Sequence, residues 1–330
     1  MLGIKVLGTG SYAPSNIVTN EDFAKIVETS DEWITTRTGM KQRYMSNGEP
    51  TWYMAAEAAK NAIDAAGISP EDIGLIISAS VTPDYLFPSS SCLIQREIGS
   101  KGAMTFDINA ACSGFVYGID MAAHYLLAGD IKYALVVGAE NLTKLVDYSD
   151  RSTCVLFGDG AAAVVVEKSE NFYTSYLSAD GTGAKHMACK LPDPQNAFMT
   201  EDKFSFETDI PKTDEFVMYM DGKEVYKFAT KALPEAVIKA AEKVSYDIHD
   251  IDLIIPHQAN IRIIETAAKN LGVSMDKIFV NIQNYGNTSS ASIGLGLDEA
   301  IKSGRLKRGE KVCLVGFGAG LTYASIIMEY

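Results

Sequence analysis

The chain is poor in the residues that staple a fold or ligate a metal: its 330 residues include 5 cysteines, 4 histidines and 2 tryptophans. Cys92, Cys112, Cys154, Cys189 and Cys313 are scattered, odd in number and form no C-x-x-C pair. That pattern argues against a disulfide framework and a structural zinc site, so no metal is expected. Positive charge is short as well, because 29 Lys and Arg against 42 Asp and Glu leave a formal charge of -13. Nucleic acid is therefore a poor partner, and an anionic membrane exerts no general attraction. No run approaches the roughly 18 apolar residues of a membrane span. The start, MLGIKVLGTGSYAP, lacks the basic head and continuous apolar stretch of a signal peptide. The expectation is a soluble globular protein of the cytoplasm.

What the chain does have is repetition. EDIGLIISAS (71–80) returns as HDIDLIIPHQ (249–258), an acid-initiated turn followed by a β-rich apolar run. EIGSKGAMTFDINAACSG (97–114) is echoed by NLGVSMDKIFVNIQNYGNTSS (270–290), and FGDGAAAVVVE (157–167) by FGAGLTYASIIME (317–329). A helix and buried strand, GIDMAAHYLLAGDIKYALVVGAEN, correspond to GLDEAIKSGRLKRGEKVCLVGFGAG. The order is the same in both halves, so the chain reads as a duplication, 1–175 and 176–330. Each half alternates strands with amphipathic helices, which specifies an α/β sheet layered by helices. A helix over EVYKFATKALPEAVIKAAEKV opens the second half and is expected to kink at Pro234. Residues 185–216 hold three prolines and no sustained period, and read as a long irregular connection with a short hairpin.

Three chemical residues fall at related points of the duplication. Cys112 and Asn287 each follow a strand, and His257 ends the strand LIIPH, where Pro256 stops the ladder. Loops at corresponding strand ends can meet at the axis relating the halves. Cys112 also stands where a helix begins, among Ala110, Ala111, Ser113 and Gly114. A thiol at a helix N-terminus is expected to have a lowered pKa, and its small neighbours leave room for a carbonyl. Each residue alone has a plainer explanation: Cys112 as a small core filler, His257 as a satisfied structural histidine, Asn287 as a turn residue beside Gly286. NTSS would likewise serve to cap a helix through Ile293 and Leu297.

Taken together, DINAACSGF, IIPHQANIRI, YGNTSSAS, FGAG and TSDEWITTRTG resemble β-ketoacyl-acyl-carrier-protein synthase III, the initiating condensing enzyme of bacterial fatty acid synthesis, over essentially the whole chain. The resemblance implies an α/β duplicated thiolase-like fold, with layered helices and two mixed five-stranded sheets related by a pseudo-twofold. It implies an acyltransferase that takes an acyl group from acyl-CoA onto Cys112 and condenses it with malonyl-acyl carrier protein. His257 and Asn287 would donate hydrogen bonds to the enolate, and the N–H groups of Cys112 and Ala319 would form the oxyanion hole. Here Gly318-Ala319-Gly320 stands where three consecutive glycines are the pattern. Trp33, Arg37, Arg151, Gly222 and Asn260 are implied for coenzyme A, which enters as substrate, with no cofactor. Phe87, Leu142, Phe157 and Phe317 are implied for the acyl pocket, Phe87 reaching across a homodimer. Gln258, Ala259, Asn260, Ile261, Arg262 and Lys269 are implied for docking the acidic carrier protein. The 185–216 connection is expected to be longer than in the family and to reshape the acyl pocket. Related thiolase-like synthases or acyltransferases of natural-product pathways are an alternative. A papain-like cysteine hydrolase, which also runs Cys, His, Asn, is the alternative from another class.

Overall fold

The computed structural model describes residues 3–199 and 207–330. In the first half, strands β1 (Ile4–Tyr12), β2 (Ile73–Ala79), β3 (Met104–Ile108), β4 (Tyr133–Asn141) and β5 (Asp159–Lys168) form a mixed sheet in the order β1-β5-β4-β2-β3. Its helices are α1 (Thr51–Ala66), α2 (Ser90–Ile98) and α3 (Gly114–Ala128). The second half contributes β6 (Tyr173–Ala179), α4 (Gly222–Glu242), β7 (Leu253–Pro256), α5 (Ile261–Leu271), α6 (Ala291–Lys302), β8 (Lys311–Gly318) and β9 (Thr322–Glu329). Its sheet runs β6-β9-β8-β7. Strand directions repeat as well: β4 and β2 are parallel, as are β8 and β7, while β5 and β9 are antiparallel to their neighbours.

The second sheet departs from the expected five strands. The position equivalent to β3 is held by Ile278, which makes a single parallel bridge to Ile254, with the Phe279 N–H donating to the Ile254 carbonyl at 2.8 Å. The 175/176 division also falls inside β6, which joins the second sheet whole.

Both sheets are covered on both faces, which is why their strands are almost continuously apolar. Along β2, Leu75 and Ile77 face one way and Ile76 the other, the period of two that a strand imposes. The inward set meets Phe115, Ile119 and Leu126 of α3, Ile293 and Leu297 of α6, and Leu253 and Ile255 of β7 in one core. The two middle helices therefore lie between the two sheets. Outside, Met54, Ala58 and Ala62 of α1 cover the first sheet, and Ala229, Leu233 and Val237 of α4 cover the second with Ile264 of α5. Close approach at the centre needs glycine: a Cβ on Gly138 of β4 would lie 2.5 Å from the Ser290 carbonyl. Helix α4 continues through Pro234. Proline offers no N–H to the Thr230 carbonyl four residues back, and the Asn270 side chain of α5 donates to that oxygen instead at 2.9 Å. The connection closes on itself through Met187–Cys189, antiparallel to Met218–Met220, so the hairpin is present; residues 200–206 lie outside the described residues. Among the described residues no helix is long and apolar enough to cross a membrane.

Candidate active site

A cavity of about 1610 Å³ opens where the two halves meet, and Cys112, His257 and Asn287 all line it. The nucleophile candidate comes from the first half and the other two from the second, as the duplication predicts.

Cys112 sits in a short turn, Ala111–Ser113, immediately before α3 rather than within it. Ala111 has φ +46°, a strained conformation for a residue with a Cβ, and this elbow re-aims the chain. Ser113 Oγ and Thr322 Oγ1, 2.8 Å apart, both donate to the Ala110 carbonyl, tying the elbow to β9. Gly318 allows β8 to press against it: a Cβ there would lie 2.5 Å from the Cys112 nitrogen. Ala319 lines the cavity directly beyond. Burial pushes the Cys112 thiol up to about 12, the nearby Ser289 hydroxyl opposes this, and the Glu140 charge adds to it. Burial thus acts against the lowering expected from the helix terminus.

Glu140 at the end of β4 is fully buried. Its carboxylate accepts from Thr82 Oγ1 at 2.6 Å, Ser290 Oγ at 2.8 Å, Ser80 Oγ at 3.3 Å and the Val81 N–H. These bonds join β4 and the 80–82 loop to the turn that carries Asn287. The Ser290 hydroxyl lies 2.8 Å from Glu140 and 2.9 Å from the Ala79 carbonyl, its one proton shared between them, and α6 has no side-chain N-cap. Ser289, at φ +47°, is buried with its hydroxyl beside both the Cys112 thiol and the Glu140 carboxyl.

His257 follows the end of β7, its N–H bonded to the Val315 carbonyl at 2.8 Å. Its Nδ1 lies 2.6 Å from Ser292 Oγ, and its ring meets Phe317 edge-on at 5.4 Å. Burial pushes the imidazole down to about 3, so it is neutral. Asn287 is fixed from both sides of its backbone: its N–H donates to the Leu156 carbonyl, and its carbonyl accepts from Gly158. Its Oδ1 accepts the Ser289 N–H at 2.9 Å. With the acceptor oxygen occupied, the carboxamide NH₂ is the group left to face the cavity.

At the mouth, Trp33 of the helix Asp31–Thr38 is flanked by two guanidinium groups, Arg37 at 4.5 Å and Arg151 at 5.1 Å from the ring. An adjoining depression of about 570 Å³ gathers Arg37, Lys223, Lys227 and Arg262 with Gly222 and Asn260. Lys223 and Lys227 escaped the sequence reading, although their spacing of four at the start of α4 puts both on one helical face. Lys269 is exposed farther along α5 and does not line this depression. Gln258 is not a surface residue. It is 1% exposed, its amide donates to the Pro256 and Phe279 carbonyls, and its oxygen accepts from Asn281. Ala259 and Ile261 are half-buried, Ala259 lining the cavity.

Leu142, Phe157 and Phe317 are buried cavity walls. Phe87 is 85% exposed and lines no wall of its own chain's cavity, whereas Tyr85 and Leu86 do. The connection adds Met187, Cys189, Leu191 and Phe216 to the walls, and the strand after it adds Met218 and Met220.

Two related α/β halves that bring a cysteine from one and a histidine and asparagine from the other define a thiolase-like condensing enzyme. The papain-like alternative is overturned, since that reading has no place for two related sheets. The family described as 3-Oxoacyl-[acyl-carrier-protein (ACP)] synthase III matches residues 106–182, and its C-terminal part matches residues 241–330. A β-ketoacyl-[acyl-carrier-protein] synthase III of Clostridium acetobutylicum is 48% identical, over 100% of this chain and 99% of that one. That of Clostridium novyi is 46% identical over the full length of both. The crystal structure of 3-oxoacyl-[acyl-carrier-protein] synthase III from Aquifex aeolicus VF5 superposes with a TM-score of 0.90 at 43% identity, covering 99% of this chain and 100% of that one. The chain belongs to the β-ketoacyl-[acyl-carrier-protein] synthase III family of acyltransferases.

Proposed function

We propose that the protein primes fatty acid synthesis by decarboxylative Claisen condensation of an acyl-CoA with malonyl-acyl carrier protein, through a thioester on Cys112. The Cys112 sulfur attacks the acyl carbonyl, coenzyme A leaves as its thiol, and the N–H groups of Cys112 and Ala319 hold the oxyanion. Malonyl thioester then loses CO₂, and the electron pair left behind forms an enolate whose oxygen accepts from His257 Nε2 and Asn287 Nδ2. The enolate carbon attacks the acyl-Cys112, the sulfur departs with the bonding pair, and it takes up a proton from water to restore the resting thiol. The observation that carries this reading is that His257 and Asn287 face one cavity with Cys112 while their other polar atoms, Nδ1 and Oδ1, are already bonded to protein.

Trp33 with Arg37 and Arg151 near its ring suits an adenine ring and its phosphates, and the pantetheine arm would pass Gly222 and Asn260. Arg262, Lys223 and Lys227 at the mouth, with Lys269 beyond, form a basic surface for an acidic carrier protein despite the negative total charge. The protein works in the cytoplasm as a homodimer in which Phe87 closes the partner subunit's acyl pocket. Coenzyme A takes part as substrate, and no cofactor is required. Intact-protein mass after incubation with an acyl-CoA tests the reading. The wild type gains one acyl group and Cys112→Ala gains none; acylation persisting in that variant would contradict the role of Cys112.

A further inference from the structure

We propose that Ser292 is a positioning residue that sets the tautomer of His257, placing the ring proton on Nε2 for the malonyl half of the reaction. The inference rests on the function proposed above, but its structural part stands apart from it.

The argument is one of donors and acceptors. Ser292 is 2% exposed, and its Oγ has two neighbours: His257 Nδ1 at 2.6 Å and the N–H of Gln258 at 3.4 Å. The Gln258 N–H can only donate, so it takes one of the oxygen's lone pairs. A hydroxyl has one proton to give. If Nδ1 carried a proton and donated it to Oγ, the serine proton would be buried with no acceptor among its described contacts. If Oγ donates to Nδ1, every group is satisfied. Leaving a buried donor unmade costs about 1–3 kcal/mol, enough to favour one tautomer by roughly fivefold to a hundredfold. The neutral ring then carries its proton on Nε2.

The place of Ser292 adds to this. It is the second residue of α6, whose positive dipole end opposes a protonated imidazolium against it. A neutral ring with the other tautomer would present a lone pair to the enolate oxygen, repelling the charge it is meant to stabilise. The single serine proton therefore decides whether His257 is a donor or an acceptor at the reacting oxygen.

The test uses full-length protein labelled with ¹⁵N-histidine. Substitution His257→Gln identifies the ring among the 4 histidines. The wild type should show a protonated Nε2 and an unprotonated Nδ1. In Ser292→Ala the ring should lose that preference, and decarboxylation of a malonyl thioester should fall by about 10²–10³, the loss of one oxyanion donor. Transfer of acyl groups from acyl-CoA to Cys112 should stay within about threefold, and Ser292→Thr should restore most of the decarboxylation. A wild-type ring protonated at Nδ1 would overturn the proposal. So would Ser292→Ala with unchanged tautomer and rate, or with both half-reactions lost equally while Ser292→Thr fails to rescue. Should Ser292→Ala not fold, the wild-type spectrum and Ser292→Thr still decide. Failure of the proposed function would appear separately, as a wild type that neither acylates nor decarboxylates yet keeps the ring proton on Nε2.

Discussion

At the scale of single residues, the site is held by neutral groups. The Cys112 thiol is pushed up to about 12 and the His257 imidazole down to about 3, so neither is charged in the resting enzyme near neutrality. Because the thiol titrates above the assay range, its thiolate fraction grows with each pH step. Alkylation of Cys112 by iodoacetamide should therefore rise about tenfold per unit between about pH 7 and 9. A plateau near neutrality would restore the helix-terminus effect as the stronger one. For His257 the sign is opposite. A ring already neutral above about pH 5 gives malonyl decarboxylation no inflection near its ordinary value of about 6.5, and a rate that fell through that value would show an imidazolium in the site. The sequence made Cys112, His257 and Asn287 legible because strand ends and small neighbours leave marks in one dimension. It did not disclose the shift of Cys112, which depends on what packs over the sulfur. Nor did it disclose Glu140, Ser289 and Ser292, whose partners come together only when the two halves meet around them.

At the scale of elements, the repeated stretches did foretell the architecture. EDIGLIISAS and HDIDLIIPHQ became β2 and β7, which take matching places in their sheets. The fifth strand of the second sheet was not legible, because KIFVN looks β-rich whether it pairs along its length or, as here, at Ile278 alone. Pro234 is the other instructive case. Proline predicts a broken ladder, and the partner that satisfies the freed carbonyl, Asn270, is 40 residues distant. Asn270→Ala should thus destabilise the protein by about 1 kcal/mol in urea denaturation. In a Pro234→Ala background, where an N–H is restored to the Thr230 carbonyl, the same change should cost much less. Equal costs in the two backgrounds would contradict this account of the helix.

At the scale of the whole molecule, one chain presents surfaces that a second copy would cover. Tyr85, Leu86 and Phe87 are 55%, 83% and 85% exposed, and β3 is an open sheet edge with Met104 exposed. Sedimentation should give a mass about twice 35.7 kDa, and Phe87→Asp should shift the protein toward that single-chain mass. An unmodified chain that sediments as a monomer would contradict the homodimer. The basic mouth on an acidic molecule carries a further consequence: carrier-protein affinity should weaken as salt rises and the Debye length shrinks below about 10 Å.

The central claim is that the two halves supply different half-reactions to one cavity, the sulfur from the first and the enolate donors from the second. Asn287→Ala tests it most directly, with acyl mass on Cys112 and CO₂ release from malonyl-acyl carrier protein measured on the same sample. The account predicts a full acyl label with CO₂ release lowered by about 10²–10³. Undiminished CO₂ release, or loss of the label itself, would contradict it.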